Sequence, residues 1–152
     1  MAAFTHLTPA GSRFSNGDYG VFYAAQEIET AIAETQHHRA AFMRATMQEA
    51  QELDMRVYAV DLDTELHDLR GQQSALPDVY DLNDYGAGQA LGRRLRGEGS
   101  HGLAYDSVRH AGGSCAAIFR PPALANCRQE RHLCYVWDGQ DIGQVYEKRA
   151  FG

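Results

Sequence analysis

The chain has 152 residues, 14 Lys and Arg against 20 Asp and Glu, a formal net charge of −6 and 44% hydrophobic residues. A single globular domain accommodates that length, and the acid excess argues against a protein that neutralises a phosphate backbone with a basic face. No apolar run approaches the ~18 to 20 residues of a membrane span, and the segment from Met1 to His6 lacks the charged and apolar regions of a signal peptide. A cytoplasmic protein with no membrane contact and no direct DNA binding is expected. Cys115, Cys127 and Cys134 match no Cys-x-x-Cys pattern and read as reduced thiols.

In chain order, the first 20 residues read as loop, with turn signals at Pro9 to Ser12 and at Ser15 to Asp18 on either side of Arg13 and Phe14. Val21 to Ala24 is a short β-type run. The longest helical signal follows, from Glu27 to about Gln51, with Ile28, Ala31, Ile32, Thr35, Phe42, Met43 and Thr46 on one stripe and Glu29, His37, Arg44 and Gln48 opposite. Met55 to Leu62 alternates like a strand, and Asp61 to Pro77 reads as a polar connection. A second helix is expected from Tyr85 to about Arg96, weakened by Gly86, Gly88 and Gly92. Leu103 to Tyr105 and Cys115 to Phe119 read as short strands, and His132 to Trp137 with Ile142 to Phe151 as a terminal hairpin. The sum is a mixed α/β or α+β domain with a mainly antiparallel sheet.

Several motifs have ordinary readings. Gly86, Gly88 and Gly92 approximate a dinucleotide fingerprint, but the third glycine is one position late and no hydrophobic strand precedes them. His37 and His38 point about 100° apart on a helix and do not suit one metal ion, so no metal is expected. Glu34 flanks the core stripe beside Ala41 and Ala45, and its plain reading is a helix-surface carboxylate pairing with His38. Arg39 falls within the apolar stripe and must snorkel or pair with a buried acid. Arg13 and Ser107 alone read as a turn arginine and a loop serine.

Taken together, Ser12-Arg13-Phe14, Tyr23-Ala24-Ala25, Thr30-Ala31 and Glu34, followed by Gly102 to Arg109 with Ser107 and by Cys115 to Phe119, resemble the RES domain, a family named for its Arg, Glu and Ser. The resemblance runs from about Arg13 to Pro122. It departs at the N-terminus, where the family usually carries an additional strand with a basic residue ahead of the motif arginine.

The resemblance implies a single α+β domain over residues 1–152, with a motif-bearing core at about 12–122 and a C-terminal hairpin at about 131–151. Its sheet would be split and mainly antiparallel with flanking helices, as in ADP-ribosyltransferases, with NAD+ bound as substrate in the cleft. It further implies the toxin of a bacterial toxin–antitoxin pair, with a helix-turn-helix, Xre-like antitoxin as partner and a cytosolic protein as a further partner accepting ADP-ribose. Hydrolysis or phosphorolysis of NAD+ is the alternative. Glu34, Arg13 and Ser107 would form the catalytic set, and Arg13, Tyr23, Ser107 and Arg109 would bind NAD+. In these roles Glu34 faces the ribose cation, Arg13 and Arg109 the pyrophosphate, Tyr23 the nicotinamide ring and Ser107 the ribose or amide. From another functional class, a catalytically silent binding module would use Arg13 and Glu34 as an ion pair fixing the N-terminal loop.

Overall fold

A computed structural model describes residues 1–4 and 11–151. Eight strands form one sheet: β1 (Ala2–Phe4), β2 (Phe22–Ala25), β3 (Gln51–Leu62), β4 (His67–Asp68), β5 (Gly102–Asp106), β6 (Ser114–Ile118), β7 (Leu124–Trp137) and β8 (Ile142–Lys148). Two helices, α1 (Ile28–Ala45) and α2 (Gly86–Gly97), complete an α+β domain. The sheet order is β4-β5-β6-β2-β1-β3-β7-β8, antiparallel throughout except for the parallel pair β4–β5.

The expected split in the sheet is closed, and the residues that close it lie in the stretch expected to be loop. β1 pairs with β2 through Ala2–Ala25, Ala3–Ala24 and Phe4–Tyr23, and with β3 through Ala2–Ala59 and Ala3–Tyr58. It joins the half made of β4, β5, β6 and β2 to the half made of β3, β7 and β8. Two reciprocal bonds between Met1 and Val60, both 2.9 Å, extend the ladder by one residue. β1 also supplies a strand ahead of Arg13, at the point where the sequence departs from the family pattern. Three residues carry too short a pattern to be read as a strand; their partners define it.

Other boundaries move for local reasons. The first helix ends at Ala45, six residues early, because Met47 takes a left-handed conformation (φ 51°) and Gln51 begins β3 opposite Trp137. The polar connection contains β4, beside Leu103 and Ala104. β7 starts at Leu124, and its exposed polar half pairs with β3 before the hairpin with β8 begins at His132. Arg39 is exposed, with its guanidinium 5.6 Å from the centre of the Phe42 ring, so of the two expectations it snorkels and does not meet a buried acid. Among the described residues no helix is long and apolar enough to cross a membrane.

α1 packs on the sheet against β1, β2, β7 and β8. Its buried residues include Thr30, Glu34 and His38, one polar side chain at every fourth position. This polar seam lies along one face of the helix and positions the site.

Candidate active site

Four segments build the candidate site, and one of them is bonded directly to the seam. The first is the turn that follows β5. Ser107 is 8% exposed, and its backbone N–H donates to the Gly113 carbonyl at 2.9 Å. Its Oγ accepts from the backbone N–H groups of Arg109 and His110, both at 3.1 Å, and donates to Glu34 Oε1 at 2.7 Å. The turn is docked on α1 a second time by His110 Nδ1 and Thr30 Oγ1, 2.8 Å apart.

Glu34 is 5% exposed. Its Oε2 lies 3.6 Å from His38 Nε2, so the pairing with His38 is present, but the carboxylate is in the interior and not on a solvated helix face. Burial pushes its carboxyl upward. The nearby His38 imidazole, the Ser107 hydroxyl and the Arg13 charge outweigh that and hold it below the ordinary value. The consequence is a carboxylate that is buried and ionised at neutral pH. Beside it, burial first, and then the Arg109 and His38 charges, push His37 down to about 4, so His37 is neutral there.

The second segment carries Arg13, which is 7% exposed and not a surface arginine. Its Nη1 donates to the carbonyls of Val79 (3.0 Å) and Asp81 (2.7 Å), and its guanidinium lies 4.7 Å from the centre of the Tyr85 ring. Arg13 and Glu34 act on one another through their charges without an ion pair between them; each has its own partners. Tyr23 lies beneath this turn, 3% exposed, with its hydroxyl donating to Ser12 Oγ at 2.6 Å and accepting from Phe14 N–H at 3.1 Å. Burial pushes its hydroxyl up to about 12, more than those bonds and the Arg13 charge pull it down. Its ring faces the interior and its hydroxyl fixes the loop that presents Arg13.

Helix α2 fixes the same loop from outside. A Cβ at Gly88 would overlap the Arg13 carbonyl oxygen and one at Gly92 the Phe14 carbonyl oxygen, while Gln89 Nε2 donates to the Ser12 carbonyl at 3.0 Å. Two of the three glycines that approximate a dinucleotide fingerprint, Gly88 and Gly92, are therefore points where a helix backbone lies on a loop backbone. The fourth segment, Val79 to Tyr85, crosses both arginines: Arg109 Nη2 donates to the Leu82 carbonyl and lies 3.4 Å from the Tyr85 hydroxyl. Arg109 Nε is buried with no hydrogen-bond partner.

The arrangement thus has an ionised carboxylate in the interior, a serine locked onto it, and two arginines bridged by a half-buried tyrosine. Arg13, Glu34 and Ser107, far apart in the chain, are the residues on which the resemblance to the RES domain rests. The RES domain model matches residues 1–138.

The chain belongs to the RES-domain family. This RES domain is also similar to the uncharacterized protein y4oC of Sinorhizobium fredii (strain NBRC 101917 / NGR234), with 27% identity over 146 residues, 96% of this chain and 60% of that protein. The chain thus spans about three fifths of the length of that relative. Two features of the RES site escaped the sequence reading: the burial of His38 and the place of Tyr85 over Arg13. The first had a signal, since Thr30, Glu34 and His38 stand at four-residue spacing on one helix. The second had none, because Tyr85 and Arg13 are far apart in the chain and meet only in the folded structure.

Proposed function

We propose that this RES domain binds NAD+ and cleaves its nicotinamide–ribose bond, passing the ADP-ribose to an acceptor. The observation that carries the reading is the Glu34 carboxylate, ionised although buried, and held by Ser107 beside the cationic Arg13. Departure of nicotinamide takes the bonding pair with the neutral ring and leaves positive charge on the ribose. A fixed carboxylate in a water-poor site stabilises that cation as it forms, without reorganising. The acceptor then attacks the ribose carbon and gives up its proton.

The remaining roles follow from chemistry. Arg13 and Arg109 supply planar donors for the pyrophosphate. Ser107 acts through Glu34, because its proton and lone pairs are committed to the carboxylate and the turn. Tyr85, half-buried beside both arginines, is the aromatic face that a substrate ring would meet, with Tyr23 supporting the loop below.

A cytosolic protein is the acceptor we propose, and the biological role is that of a toxin held in check by a co-encoded helix-turn-helix antitoxin. A segment of that partner placing acidic groups against Arg13 would compete with the pyrophosphate. Purified protein incubated with NAD+ in water, with phosphate and with candidate acceptors tests the reading. Free nicotinamide in every case, with ADP-ribose appearing on protein, is expected; no nicotinamide release and no NAD+ binding would leave a catalytically silent module, one without the Arg13–Glu34 ion pair expected of it. Free ADP-ribose or its phosphate as the main product would replace transfer by hydrolysis or phosphorolysis.

A further inference from the structure

Glu34 has three rotatable side-chain bonds, so a single hydrogen bond from Ser107 to Oε1 leaves the carboxylate free to turn about its last one. The second oxygen needs its own partner in the interior, where an unpartnered carboxylate oxygen carries a large desolvation cost. His38 is that partner by position: four residues on, it lies over the same face of α1, is itself buried, and brings Nε2 to 3.6 Å from Oε2. We propose that His38 is a positioning residue, which with Ser107 clamps the two oxygens of Glu34 from opposite sides and so fixes the plane of the carboxylate.

The inference rests on the proposed role of Glu34 at the ribose. The clamp is built into the fold, because Ser107 comes from the turn after β5 while His38 comes from the same helix as Glu34. Arg13 acts on the carboxylate by its charge from its own loop, and the carboxylate in turn acts by charge on His37 of α1, Tyr105 of β5 and Cys115 of β6. Ser107 ties the turn as well as Oε1, whereas His38 meets Oε2 from the helix of Glu34 itself, so a change at His38 releases Oε2 and leaves the Ser107 bond in place.

The test uses the full chain carrying isotope-labelled glutamate. Glu34 is titrated by NMR without NAD+, and nicotinamide release is measured separately. In His38→Leu, of similar bulk, the Glu34 midpoint should rise and kcat should fall about a hundredfold with KM for NAD+ within about twofold, the pattern of a misplaced reacting group. His38→Gln keeps an N–H donor and should recover at least about tenfold of that loss. Unchanged Glu34 titration and kcat in folded His38→Leu would overturn the proposal. So would a folded His38→Gln as impaired as Glu34→Gln, and that comparison decides if the leucine variant does not fold. If the unaltered protein releases no nicotinamide, the enzymatic reading fails, while the titration still decides whether His38 holds Glu34.

Discussion

Tyr23 shows how much the site depends on single buried polar atoms. Its hydroxyl closes a bond to Ser12 and satisfies the Phe14 N–H in the loop that carries Arg13. Tyr23→Phe should cost about 1 to 3 kcal/mol, because a buried donor is left without its acceptor. Urea unfolding checks it, and a cost near zero would mean that the loop is held elsewhere. His37 sets a pH dependence. Its folded value of about 4 lies below the ordinary 6.5, so over that interval the unfolded chain binds a proton that the folded chain refuses. Stability should therefore fall as pH drops from 6.5 toward 4, and more shallowly in His37→Asn; equal slopes would exclude His37. Glu34 acts in the same direction at lower pH, its stabilisation present above the ordinary carboxyl value and lost as pH falls through its depressed folded value.

At the scale of elements, α2 is held against the Arg13 loop by an absence of side chains. Ala is the better helix former by about 1 kcal/mol, so Gly97→Ala, with open space around it, should be neutral or stabilising. Gly88→Ala and Gly92→Ala should instead destabilise by more than about 1 kcal/mol and weaken NAD+ binding, since each Cβ meets a backbone carbonyl. Matched thermal scans and NAD+ titrations of the three variants separate propensity from packing. The same helices show what was legible in the sequence. Both were visible in the sequence, α2 in spite of its glycines, and β2, β5, β6 and the β7–β8 hairpin from short apolar runs. The polar seam of α1 was missed although its four-residue spacing stands in the sequence, because apolar periodicity ranks Glu34 and His38 by what they lack. Arg39 shows the converse, since a wheel position inside a stripe does not bury a long side chain, which here reaches solvent over the Phe42 ring.

For the whole molecule, the three-residue β1 joins the half-sheet carrying Tyr23 and Ser107 to the half on which the far end of α1 rests. Ala3→Pro removes an N–H from an interior strand and should destabilise the fold by about 2 kcal/mol or more. Hydrogen exchange should then report loss of protection in both β2 and β3; loss in one alone would show that the halves do not depend on β1. This joint keeps α1, and Glu34 with it, in register with the turn that carries Ser107. The central claim is that the buried Glu34 carboxylate stabilises charge formed as nicotinamide leaves, while Arg13 binds charge already present. Steady-state nicotinamide release by Glu34→Ala and Arg13→Ala tests it most directly. The expected result is a loss in kcat with little change in KM for Glu34→Ala, and chiefly a raised KM for Arg13→Ala. Equal shifts of KM in the two variants, with kcat unaltered in both, would contradict the account.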